Sequence, residues 1–108
     1  MAIEFVANGS PKEVAQAIEQ YAHGQGRVTA IVVPWESTGT VLSMSVTSVK
    51  ADGWAIEHTN LGTVRLTDAS DGTTAVAISA HDPGGTDRSQ LTSVFERFAE
   101  ELRQRLKA

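Results

Sequence analysis

The side chains that could do chemistry in this 108-residue chain are few and scattered: three histidines, His23, His58 and His81, and no cysteine. Without a thiol there is no disulfide, no thiolate metal site and no cysteine nucleophile. No two histidines stand at ligand spacing within one element, so the pattern implies no metal centre and no cofactor. His58 is the sharpest candidate. Alternation puts it on one strand face with Trp54 and Ile56, opposite Ala55, Glu57 and Thr59. There an imidazole could orient a ligand or transfer a proton. The plainer role is a histidine hydrogen-bonded inside or at the rim of the core. An enzyme such as a cyclase or dehydratase would pair His58 with Glu57 or Asp82, but parity sends Glu57 to the opposite face.

The other motifs are weak. Gly24-Gln25-Gly26-Arg27-Val28-Thr29 begins like a dinucleotide loop, yet it lacks the third glycine and follows a helix where that chemistry needs a strand. Serine is abundant, but no Gly-x-Ser-x-Gly elbow exists. Asn8-Gly9-Ser10 could hold an anion at a helix N-terminus, although its ordinary use is as a cap. His23 falls at the end of the first helix, where a cation suits the helix dipole, and His81 at the mouth of the loop 82–87.

The elements that must position these residues are clearer. Residues 2–7 alternate weakly as a strand. Ser10, Pro11 and Glu13 then form a helix start, with Ser10 as cap, proline at the first helical position and Glu13 closing a capping box. Val14, Ala17, Ile18 and Tyr21 give that helix a narrow apolar face, and Gly24 ends it. From 27 to 80 the period becomes strand-like. The β-branched run 28–35 stops at Pro34, and 41–50 alternates with Leu42, Met44 and Val46 on one face. Ala51-Asp52-Gly53 is a turn, Asn60-Leu61-Gly62 breaks or bends the next strand, and Val64 and Leu66 resume its pattern. Asp71-Gly72 signals a hairpin before Thr74, Val76, Ile78 and Ala80. The flexible-looking loop 82–87 leads to a second N-cap at Thr86 or Asp87, with Gln90 completing its box.

The closing helix over 88–107 is the best-defined element. Leu91, Val94, Phe95, Phe98, Leu102 and Leu106 recur at three- and four-residue spacing, while Arg97, Glu101 and Arg105 lie towards the other side. The expected fold is therefore α+β in one domain, 1–108. It is a single antiparallel sheet of five or six strands in the order strand, helix, four or five strands, helix, with the long last helix packed across the sheet.

A hydrophobic fraction of 41% and a charged fraction of 20% fit an ordinary globular domain. The net charge of −4 and a pI near 5.2 argue against nucleic acid as a partner, because phosphate binding relies on clustered Lys and Arg. Most of the nine basic residues fall on the last helix, interleaved with Glu96, Glu100 and Glu101 as on a solvated face. No apolar run approaches the roughly 18–20 residues of a membrane span, and the N-terminus carries no basic-then-apolar leader. The expectation is a cytoplasmic protein with no membrane partner.

Two stretches carry a resemblance to the helix-grip superfamily of START domains, polyketide cyclase-like proteins and the birch-pollen-allergen type (SRPBCC), whose core topology is shared by the TATA-box-binding-protein repeat. Residues 5–14, Phe-Val-Ala-Asn-Gly-Ser-Pro-Lys-Glu-Val, are similar to its entry from strand one into helix one. Residues 72–78, Gly-Thr-Thr-Ala-Val-Ala-Ile, with the helix holding Leu91 and Leu106, are similar to its closing strand and helix. The chain is a shortened form, without the usual second helix. The resemblance implies a cavity between sheet and last helix, lined by Val94, Phe95, Phe98 and Leu102 from the helix and by Met44, Trp54, Ile56 and His58 from the sheet. On that reading the protein is noncatalytic and binds a hydrophobic small molecule there, with the 82–87 loop as gate. In so short a chain the same residues could simply fill the core. The alternative is a structural or protein-interaction module that forms a homodimer and has no ligand cavity.

Overall fold

The computed structural model describes residues 2–26, 28–82, 85 and 88–108. The elements run β1 (Ala2–Asn8), α1 (Pro11–Gln25), β2 (Val28–Val32), a 3-10 turn (Pro34–Glu36), β3 (Val41–Asp52), β4 (Ala55–Asp68), β5 (Thr73–Ala80) and α2 (Arg88–Leu106). The five strands make one antiparallel sheet in the order β1-β5-β4-β3-β2. Both helices pack on the same face of it, so the architecture is the α+β arrangement expected from the alternation and the closing helix. The proposed cap at Thr86 or Asp87 lies outside the described residues, as does most of the 82–87 loop.

Helix α1 starts where its sequence dictates. Ser10 Oγ accepts the Glu13 backbone N–H at 3.2 Å and Glu13 Oε1 accepts the Ser10 N–H at 3.2 Å, so the capping box is closed in both directions. The C-terminus falls later than Gly24. That glycine stays helical and Gly26 takes the left-handed conformation at φ 73°, donating its N–H to the His23 carbonyl. The buried stripe is Val14, Ala15, Ile18 and Ala22, with Tyr21 half-buried beside it. The β1–α1 corner is pinned to the β4–β5 turn by the Gly9 N–H to the Gly72 carbonyl and by Thr74 Oγ1 to the Gly9 carbonyl, both at 2.8 Å. That second bond satisfies Thr74, which is wholly buried.

The core lies between the sheet and the helices. Met44, Val46, Val64, Leu66, Val76 and Ile78 face inward from the three central strands, against Ile18 of α1 and Phe95, Phe98, Ala99 and Leu102 of α2. Each large side chain buried in this way contributes about 1.5–3 kcal/mol. The spacing of the closing helix is thus explained by a sheet.

One register shift reorganises β4. Val46 pairs with Gly62 but Thr47 pairs with Asn60, so Leu61 is an extra residue, a β-bulge. Inserting one residue exchanges the faces of everything beyond it. Val64 and Leu66 point inward, whereas Asn60, His58 and Ile56 share the outer face with Thr47 and Val49. Beyond Thr59, β3 and β4 pair only with each other among the described residues, forming a two-stranded arm with Gly53-Trp54 at its tip. The arm contributes to a longest dimension of 46 Å against 25 and 23 Å in the other directions.

Gly62 sits at the bulge directly beneath α2. A Cβ there would run into the Phe95 ring and the Ser79 carbonyl oxygen. Gly62→Ala is therefore expected to lower stability by about 2–3 kcal/mol through overpacking, read as a reduced urea midpoint with an unchanged m-value. A variant as stable as the parent would show that α2 does not rest on this glycine.

Candidate functional site

The bulge decides where the sequence-derived site residues fall. Met44, Phe95 and Leu102 are core side chains with at most 1% exposure, Phe98 is buried and Val94 half-buried. These five gather beneath or along α2 as expected. Trp54, Ile56 and His58 do not join them. Trp54 is fully exposed at the tip of the arm, Ile56 is 66% exposed and His58 is exposed on the outer face. The expectation that they face α2 is corrected: the extra residue Leu61 turns Ile56 and His58 to the outer face, and Trp54 lies in the turn before β4. Of the two acid–base partners named for His58, the side chain of Glu57 lies outside the described part of the structure, and Asp82 forms an ion pair with Arg88 at 3.0 Å. His81 and Thr63 Oγ1 share a 2.8 Å hydrogen bond on the outer face of the sheet, also away from α2.

The space expected in the middle of the helix–sheet interface is occupied by Phe95, Leu102 and Met44. A cleft of about 250 Å³ lies instead at one side, between α2, the end of α1 and the start of β2. Val28, Val94 and Phe98 give it an apolar floor, and Gln25, Gln90, Ser93, Arg97 and Glu101 a polar rim. The elements explain the mixture. Val94, Phe98 and the core side chain Leu102 climb one side of α2, while Arg97 and Glu101 occupy the adjacent i,i+4 row that turns towards α1.

Tyr21 ties the two helices together beside the cleft, through the lining residues Phe98 and Glu101. Its ring stacks on Phe98 with centroids 5.6 Å apart and planes 25° apart. The Arg105 guanidinium carbon lies 4.6 Å from the Tyr21 ring centroid, on the ring face. The Tyr21 hydroxyl donates to Glu101 Oε2. Glu101 and Arg105 are therefore not the purely solvated pair that their spacing suggests. The i,i+4 relation of Glu101 and Arg105 was visible in the sequence; that a tyrosine eighty residues earlier lies between them was not.

Burial pushes the Tyr21 phenol above its ordinary 10.0, the bond and negative charge of Glu101 push it further, and Arg105 opposes them. On α2's outer side, a hydrogen bond from Arg103 holds the Glu100 carboxyl below the usual range. Among the described residues no group of three His, Asp or Glu side chains could hold a metal ion, and no helix is long and apolar enough to cross a membrane. Comparison of the chain with protein-family models, curated proteins and solved structures returns no match in any of the three.

Two outcomes are expected from this geometry. Because the folded-state value of Tyr21 is raised, its contribution to stability is complete below the unfolded value of 10.0 and is lost as pH rises through the folded one. Titrating the phenolate absorbance of this sole tyrosine should give a midpoint above 10.0, and Tyr21→Phe should flatten the alkaline fall in stability. Separately, Trp54→Ala should change unfolding free energy by no more than about 0.5 kcal/mol, while Phe95→Ala should cost about 3–5 kcal/mol. A large loss on removing Trp54 would mean that the arm folds back onto the body.

Proposed function

We propose that this chain is a small, noncatalytic binding protein of shortened helix-grip type that holds a metabolite-sized amphipathic molecule in the lateral cleft. The observation that carries the reading is the cleft's chemistry: an apolar floor of Val28, Val94 and Phe98 under a rim of amides, a hydroxyl and two charges. Small-molecule sites combine apolar walls with a few placed polar groups in this way. The volume of about 250 Å³ falls under the roughly 300–1,000 Å³ of drug-sized sites, which favours a compact ligand over a long acyl chain. The single sheet under a long closing helix supports the helix-grip reading.

Binding is favoured over catalysis because the cleft's carboxylate, Glu101, is engaged by Tyr21. The exposed His58 lies on the outer face of the sheet. The ligand's apolar part would lie on Phe98 and Val94, with its polar end towards Gln25, Gln90 and Arg97.

Titration of the isotope-labelled chain with a panel of small amphipathic compounds should move the amide resonances of Gln25, Val28, Ser93 and Val94. Ser93→Trp, at an exposed position, should fill the cleft without unfolding the protein and weaken binding at least about tenfold, or about 1.4 kcal/mol. Shifts confined to other surfaces, or binding indifferent to Ser93→Trp, would sink the proposal.

A further inference from the structure

The sheet buries one face beneath its helices and leaves the other open over β1, β5 and β4. Exposed faces of antiparallel sheets are ordinarily polar. In this three-strand area the charged side chains among the described residues are Glu4 and Arg65. They stand in one cross-strand row, Glu4–Ala77–Arg65, one on each side of β5. Strand spacing separates their backbones by about 9–10 Å, and neither has an ion-pair partner among the described residues.

The row ends at a ridge. Val33 donates its N–H to the Ser43 carbonyl, continuing the ladder past β2 on the outer face. Both residues are nevertheless buried, at 7% and 4% exposure, outside the main core cluster. Residues 34–38 fold back over that corner, held by Ser37 Oγ to the Val33 carbonyl at 2.8 Å and by the Ser43 N–H to Ser37 Oγ at 3.1 Å.

We propose that two copies of this chain associate through these open faces, about a two-fold axis that lies in the interface and runs along β5 above Ala77. Such an axis exchanges β1 with β4 between the copies. Glu4 of each copy then faces Arg65 of the other, and Ala77 meets Ala77, whose small side chain lets the sheets close to the usual spacing of about 10 Å. The ridge at 34–38 lies two strands from the axis on the β3 side, where it meets the Lys107–Ala108 extension beside β1 of the second copy. Neighbouring axes fail on the same observations. An axis over β4 sets Arg65 against Arg65 and drives the ridge into the second sheet; one over β1 sets Glu4 against Glu4.

The shared footprint, about 14 Å across three strands and about 24 Å along seven residues, is roughly 340 Å² per copy. That is small against the roughly 800 Å² per partner of a standard interface, so the dimer is weak and sensitive to salt. It is independent of the proposed cleft, which lies on the helical side of the sheet.

Analytical ultracentrifugation of the whole chain from roughly 10 μM to 1 mM should show concentration-dependent dimerisation that weakens with added salt. Glu4→Arg alone and Arg65→Glu alone should each raise the dissociation constant at least about tenfold by creating like-charge contacts. The double reversal should restore it to within about threefold. Circular dichroism should show all three variants folded, and Trp54→Ser should leave association unchanged, which separates this interface from one made by the arm. A chain monomeric throughout, a dimer insensitive to both single reversals, a double variant that is not rescued, or a dimer lost with Trp54 would each overturn the assignment.

Discussion

Phe95 lays its ring against the backbone of β4 at Gly62, beside the one place where that strand carries an extra residue. The contact needs a residue without a side chain, since any Cβ there would occupy the ring's position. It also needs the bulge, because Leu61 and Gly62 are both buried where strict alternation would send one of them outward. With the ring seated, Phe98 and Leu102 follow at three and seven residues along the same side of α2 and cover the rest of the inner face. The height and rotation of α2, and with them the cleft beside Val94, therefore depend on this close approach.

The same bulge explains how much could be read from the residues. Caps, turns and the closing stripe are local signals. Ser10 and Glu13 bond within one turn of helix, and Gly72 sits in the positive-φ conformation that its turn requires. Each could be inferred because its physics involves neighbours in sequence. Asn60-Leu61-Gly62 was legible as an interruption of the pattern. Whether an interruption preserves or reverses strand faces depends on how many residues oppose the partner strand, and that count belongs to the pairing of β3 with β4. Alternation alone therefore puts Ile56 and His58 on the wrong face although their mutual parity along β4 is sound, while Trp54 lies in the turn before the strand.

The cleft was hidden for a different reason. A helical stripe reports which residues a helix buries, but a long amphipathic helix has flanks whose neighbours come from elsewhere in the chain. Val94 and Phe98 were visible as lining because they belong to the stripe. Gln25 and Val28 enter only because α1 runs through Gly24 and ends at Gly26, bringing its C-terminus alongside α2. Tyr21 was legible as part of a narrow apolar face. Its second function, stacking on Phe98 while donating to Glu101, exists only once the two helices are side by side.

Edges and face of the sheet differ in how they are protected. Along β1 the chain's last residues add a short extension, with Ala7 bridged to Lys107 and the Ala108 N–H donating to the Val6 carbonyl at 2.8 Å. That pairing occupies main-chain groups that could otherwise accept another strand. At the opposite end of the row, residues 34–38 cover the corner beyond β2 and consume the ladder groups of Ser43. Lateral pairing is thus obstructed at Val6–Ala7 of β1 and at Ser43 of β3, while the outer surface of β5 between Glu4 and Arg65 carries only the small side chains of Ala75, Ala77 and Ser79. Where those main-chain groups are already paired, contact is left to the open surface. Face-to-face contact also closes after two copies when its charges are arranged as opposites about an axis, which is the arrangement that Glu4, Ala77 and Arg65 provide.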